Sequence, residues 1–271
     1  MTDPHEGHDD APDASGSQPD PPAIERDLLG HAPPAGRRTW DHRRAEPRML
    51  ALLWTIYLFV ATLLTFASAG LLGFVTPDSY RPSAKTLLLL VFLGATIFWP
   101  MLRLAQQAPR EHVGRACLKD ALVIIAPAQA IIWPQVFLTH WPFQVLLFIS
   151  IAMTGWVALC AAMLAWALAD RGPSRTGWMF VFIALGAVAP ALILVDALRT
   201  GGFAGRDDVR WLWMGSPWTV PFELTRDRPW TGAAAIVLQG HRVAAWTTLA
   251  IGLAAWCIPR PSVQETTRET D

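Results

Sequence analysis

The sequence predicts an all-α polytopic membrane protein: six transmembrane helices, both termini in the cytoplasm, and a disordered tail ahead of the first span. Three observations predict it. Hydrophobic residues make up 52% of the 271 positions and charged residues 16%, against about 25% charged in an ordinary soluble domain. The apolar residues gather into six runs between positions 49 and 258, most of them near the roughly 20 residues that cross a bilayer. Lys and Arg are richer in alternate connections, as orientation signals are. The same composition argues against a simple soluble enzyme, and a net charge of zero argues against a nucleic-acid binder. Three cysteines, Cys117, Cys160 and Cys257, rule out a disulfide scaffold, and without CxxC spacing they read as small apolar residues.

Residues 1–36 hold seven prolines and eight acids against one base, Arg26. Such a segment buries too little apolar surface to offset its ordering entropy, so it reads as disordered. It lacks the basic start and apolar stretch of a signal peptide. HEGHDD, from His5, has two histidines three apart, but a flexible tail is a poor metal site, and it reads as a solvated acidic stretch. No metal or cofactor is expected. The composition then reverses: 37–48, RRTWDHRRAEPR, carries five arginines. This juxtamembrane segment marks the cytoplasmic side, and it can lie on anionic headgroups at about 1 kcal/mol per charge.

The spans follow at 49–74, 86–102, 121–139, 142–169, 177–198 and 243–258. The second is short and closes on TIFWPML, with Trp99 as an interfacial anchor. The fourth is long and charge-free, which implies tilt. The sixth is preceded by TGAAAIVLQGH (231–241), itself a fair helix former. The connection 103–120 carries Arg103, Arg110, Arg115 and Lys119, and 170–176 carries Arg171 and Arg175. The connection 77–85 has only Arg81 and Lys85, and 140–141 has no Lys or Arg. The N terminus, the second and fourth connections and the 261–271 tail are therefore cytoplasmic, with 199–242 outside. This suits a bacterial inner membrane.

Polar residues at membrane depth are few. In the third span Asp120, Pro127 and Pro134 recur every seven residues, and Gln129 and Gln135 add amides; together they form a candidate pathway face. The plainer alternative is that prolines kink the helix and glutamines tie helices together. Ser150, Thr154, Ala158 and Ala162, four apart, read as a packing face. Asp196 reads as a hydrated interfacial acid. No HExxH, GxSxG, Walker or dinucleotide motif occurs, so no enzyme is expected.

The most unusual segment is WLWMGSPWTVPFELTRDRPW, 211–230, with four tryptophans and three prolines. It is too short and interrupted to span. Trp favours the membrane boundary, and non-helical backbone at depth needs cover, so it reads as an interfacial or re-entrant piece. Its candidate residues are Trp211, Trp213, Pro217, Trp218, Pro221 and Arg226.

This layout resembles the ABC exporter permeases of the second type. They have a cytoplasmic start, six spans, a coupling segment between spans two and three, and a re-entrant hairpin before span six. GSPWTVPFELTR (215–226) is similar to the family's Asn-Pro start and later Arg, with Ser216 where Asn is common. The resemblance covers about 37–260. It implies a permease subunit in the lipid bilayer, a separate ATP-binding partner, and a second copy or sister permease to enclose the path. The coupling position falls on RLAQQAPREHVGRACLKD, with Arg110, Glu111 and Arg115 as candidate ATPase contacts. The alternative reading is a non-transporting membrane scaffold or assembly protein that holds partners with its tail and Trp-rich loop.

Overall fold

Long helices wrapped around one central helix make up most of the described chain. The computed structural model describes residues 47–70, 76–106, 113–169, 175–200, 209–227 and 235–258. The acidic tail, most of the arginine segment and 261–271 lie outside these residues. The helices are α1 (Pro47–Gly70), α2 (Pro77–Leu93), α3 (Trp99–Ala105), α4 (Val113–Ile132), α5 (Gln135–Thr139), α6 (Phe143–Ala169), α7 (Arg175–Thr200), α8 (Trp211–Met214), α9 (Val220–Leu224) and α10 (Gln239–Ala254). No strand occurs among the described residues. Among the described residues, stretches long and apolar enough to cross a bilayer number five: Met49–Ser68, Pro77–Ala105, Val113–Thr139, Phe143–Ala169 and Thr176–Val195. With 16 residues and a closing 3-10 turn (Ala255–Cys257), α10 is shorter than these.

The second span differs from the expected 86–102. Residues 77–85, read as a connection because of their charges, are the first turns of α2. Thr76 caps that helix: its hydroxyl accepts from the Ser79 amide, while the Ser79 hydroxyl accepts from the Thr76 amide, and Pro77 occupies the first turn, where a missing N–H costs nothing. The charges are also met. Arg81 lies 2.6 Å from Asp78 and donates to the Thr139 carbonyl at 3.2 Å, and Lys85 reaches Asp227 at 3.1 Å.

Between α2 and α3 the helix widens into one π turn, Gly94–Phe98. Pro100 explains it, since its ring crowds the carbonyl four residues back and it offers no N–H. The loosened turn is held from α1, where the Tyr57 hydroxyl donates to the Leu90 carbonyl at 2.8 Å. Trp54, Tyr57 and Phe98 stack in sequence at 5.4 and 5.1 Å. Gly94 lies beneath them, where a Cβ would stand 2.4 Å from the Tyr57 ring.

The third span is broken. α4 ends at Ile132, Trp133–Pro134 form a turn, and α5 finishes the crossing. His140 then takes a left-handed conformation (φ 57°), and the Thr139 hydroxyl accepts from the Trp141 amide. The chain thus reverses within three residues into α6.

α6 carries no charge and is apolar all round, the mark of a helix enclosed on every side. Its span is 72% buried, against 28% for α1 and 18% for α7. The outward faces of α1 and α7 present Ile56, Phe59, Leu63, Phe180, Val188 and Leu194, side chains suited to hydrocarbon. α10 runs along α6 in the same direction. Arg242 bonds Gln144 at one end and Trp256 bonds the Ala158 carbonyl further along, both pairs 98 residues apart. Between them Gly252 meets Gly155 backbone to backbone. Such small-residue crossings are how membrane helices gain packing when lipid is as apolar as their own side chains.

Candidate functional site

One end of the bundle concentrates the unusual chemistry. α8 and α9 are joined by a turn at Gly215–Thr219 and are tucked between α7 and the start of α10. The sequence explains why they stay there. Pro190, inside α7, leaves the Gly186 carbonyl without its usual donor four residues on. The Ser216 hydroxyl supplies that bond at 2.8 Å. Residue 186 is glycine because the Trp218 indole lies directly on it, within 2.4 Å of where a Cβ would be. Ser216 also accepts from the Trp218 amide, and the Thr219 hydroxyl donates to the Trp213 carbonyl at 2.7 Å. Side-chain hydroxyls thus answer the Gly186 and Trp213 carbonyls and the Trp218 amide, the kind of partner that irregular backbone at depth needs.

The logic gives a test. Ser216→Ala should cost about 1 kcal/mol, the scale of interhelical hydrogen bonds in membranes, read as a lower Tm in detergent. In a Pro190→Ala background residue 190 regains its N–H and can bond Gly186 within the helix, so the same substitution should cost almost nothing. Equal losses in both backgrounds would remove Pro190 from the explanation.

The second tie is ionic. Glu223 in α9 is 1% exposed and His241 in the first turn of α10 is fully buried. Glu223 Oε1 lies 3.2 Å from His241 Nε2, 3.1 Å from Arg226 Nη2 and 3.3 Å from the Arg210 amide. His241 Nδ1 accepts from the Leu238 amide at 3.2 Å. A backbone N–H can only donate, so Nδ1 carries no proton and Nε2–H points at the carboxylate. Both ring nitrogens are hydrogen-bonded. The arrangement clamps α9 to the start of α10, with the Arg226 charge balancing Glu223. Arg210 lies over the Trp213 ring at 5.4 Å, and Lys85–Asp227 extends the ties to α2.

Of the segment read as interfacial or re-entrant, Pro217 and Pro221 are buried, Trp213, Trp218 and Arg226 half-buried, and Trp211 exposed. Ser216, Glu223 and His241 are the residues that hold it; the sequence marked Ser216 only as the residue in the family's Asn position, and Glu223 and His241 were not singled out. The i, i+3 pair Glu223–Arg226 was the one local signal for the cluster.

The third-span candidates differ in exposure. Asp120 is buried, Pro127 and Gln129 are half-buried, Pro134 is exposed and Gln135 is buried. Asp120 and Pro127 lie within α4, and the turn at Trp133–Pro134 separates them from Gln135 in α5. Asp120 faces Arg103 as an ion pair at 2.9 Å, both nearly inaccessible, and this pair links the end of α3 to the beginning of α4. Gln129 accepts from the Ser150 hydroxyl at 2.5 Å, tying α4 to α6. Arg115 is exposed on the first turns of α4; Arg110 and Glu111 lie outside the described residues, as does the Asp196 side chain. Among the described residues no cluster of three His, Cys, Asp or Glu is placed to hold a metal. No family model, curated protein or solved structure matches this chain.

Proposed function

We propose that this chain is the membrane-domain subunit of an ATP-driven exporter, working in a bacterial inner membrane with a separate ATPase. It crosses six times, α10 being the last crossing, with both termini in the cytoplasm. The observation that carries the reading is the α8–α9 pair: two short helices, closed by a turn, held inside the bundle immediately before the last helix. That is the re-entrant layout of the exporter permeases that the sequence resembles. Two further features support it. α6 and α10 run parallel, as they must if α7 alone crosses between them and the α8–α9 pair returns to its own side. The ends of α3 and α4, which flank the coupling position, are pinned by the Arg103–Asp120 pair. Force applied between them passes into the bundle without fraying either helix.

Purification of the tagged full chain in mild detergent, followed by identification of its partners, tests the reading. A Walker-motif ATPase should co-purify with the wild type. It should be lost from the Arg110→Glu/Arg115→Glu variant, because desolvated charge-assisted contacts carry much of such an interface. The variant's Tm should hold, since exposed substitutions cost under about 0.5 kcal/mol. Absence of any ATPase from the wild type would replace the exporter with the scaffold reading. Orientation has its own check in a background without native cysteines. Cysteine at Ser174 should label only in opened membranes, and cysteine at Gly205 in intact cells.

A further inference from the structure

His241 is a buried ionisable side chain at a joint between two elements. It lies fully buried in the first turn of α10, after the N-cap residue Leu238. Its Nδ1 accepts from the Leu238 amide at 3.2 Å, the bond that Gln or Glu makes in a capping box, so the ring itself closes the end of the helix. Its Nε2 faces Glu223 Oε1 of α9 at 3.2 Å. One imidazole thus caps α10 and ties α9 to it. The cap needs the neutral ring, because Nδ1 accepts only through the lone pair that a proton would occupy. The charges around the ring favour the same form. α9 brings Glu223, whose Oε1 also lies 3.1 Å from Arg226 Nη2. Arg210, just ahead of α8, donates its amide to that oxygen and sets its guanidinium over Trp213. Beyond α9, Lys85 and Asp227 pair with each other. Arg242, on α10 itself, bonds Gln144. α8 and the first four turns of α6 (143–157) carry no ionisable group. A proton on His241 would enter a buried cluster where Glu223 already faces Arg226, and would set Nδ1–H against the Leu238 N–H.

We propose that His241 is an acid-sensitive latch: proton uptake displaces the ring from Leu238 and Glu223 together, and the α8–α9 pair loosens from α10 while the long helices hold. Histidine is the side chain that ordinarily changes charge between about pH 5 and 8. The coupling has one sign. The closed latch holds the neutral ring and the open one binds a proton, so the latch stays closed above about pH 6.5, the ordinary histidine range. Below it, the open fraction rises up to about ten-fold per pH unit, the limit for one proton taken up on opening. In the six-crossing arrangement this end faces outward, and the latch senses external acidity. The release itself does not rest on the exporter reading.

Limited proteolysis of the purified full chain in mild detergent at pH 7.5, 6.5 and 5.5 tests it, each rate divided by that of an unfolded substrate at the same pH. Cleavage within 209–241 should rise about ten-fold from pH 7.5 to 5.5, ahead of any cleavage in the long helices. His241→Gln offers the Leu238 amide an oxygen that does not titrate, and should abolish the rise. Glu223→Gln should be cleaved faster than wild type at pH 7.5 and keep the rise. Size exclusion and Tm at pH 7.5 report folding; if Gln at 241 fails them, His241→Asn, whose amide oxygen is also a non-titrating acceptor, takes its place. A rise in the wild type that is lost with the histidine supports the latch. A wild type without the rise, a rise that persists in His241→Gln, or one shared equally by the long helices overturns it. A rise lost in Glu223→Gln but kept in His241→Gln assigns the proton to the carboxylate and overturns it as well.

Discussion

Gly252→Leu is expected to be the most damaging single substitution in the bundle. A Cβ at 252 would lie 2.4 Å from the Gly155 carbonyl oxygen, and one at 155 would lie 2.7 Å from the Leu249 amide nitrogen and 2.8 Å from its Cα. These obstacles are backbone atoms, so no rotamer change relieves them and α6 and α10 must move apart. Separation would also loosen the Trp256–Ala158 and Arg242–Gln144 bonds that share the interface. Overpacking a well-filled site costs about 1–3 kcal/mol and more when backbone must shift. At about 2–4 °C per kcal/mol for a chain of this size, Gly252→Leu or Gly155→Leu should lower the Tm by roughly 10 °C. Even alanine at either position should be harmful. Gly177→Ala is the control: nothing lies within 4 Å of its Cβ position, and a helical Gly→Ala change there should be neutral or stabilising by up to about 1 kcal/mol. Equal tolerance at 252 and 177 would mean that α6 and α10 do not pack in this register.

Glu223→Ala is expected to come next. Removing the carboxylate takes away the oxygen that His241, Arg226 and the Arg210 amide share and the negative charge that faces Arg226. Breaking a buried pair by deleting one partner costs about 3–5 kcal/mol. Glu223→Gln keeps an oxygen for His241 Nε2–H and should lose clearly less. Because the clamp holds α9 to the start of α10, the Ala variant should also become protease-sensitive within 209–241 before the long helices unfold. Thermal melting with limited proteolysis would read both effects. An Ala variant as stable as the Gln variant would show that the oxygen held toward His241 Nε2–H contributes nothing, and a Gln variant as stable as wild type would show the same of the charge.

What the sequence made legible follows its physical signals. Apolar runs announce long helices, and the described ones fall near the expected positions. The start of α2 was missed because Arg81 and Lys85 look like loop charges when their partners, Thr139 and Asp227, are far along the chain. Proline was read as a kink at 127 and 134. Its larger consequence is at 190, where an orphaned carbonyl recruits Ser216 from 30 residues away, a bond that no local pattern encodes. The same holds for Glu223 and His241. Both are unremarkable where they stand, and they meet because α9 folds back onto α10. The Trp- and Pro-rich composition of 211–230 marked that segment as special, without revealing which side chains would hold it. The seven-residue spacing from Asp120 to Pro127 falls within α4, but it could not reveal that the partner of Asp120 is Arg103 at the end of α3.

The central claim is an ATPase docked at the end of the bundle opposite the α8–α9 pair. A photo-crosslinking residue in place of Arg115, exposed on the first turns of α4, and another in place of His140, exposed at the opposite end, test it directly in living cells. The account predicts an adduct with a Walker-motif ATPase from position 115 and none from position 140. An ATPase adduct from position 140, or from neither position, would contradict it.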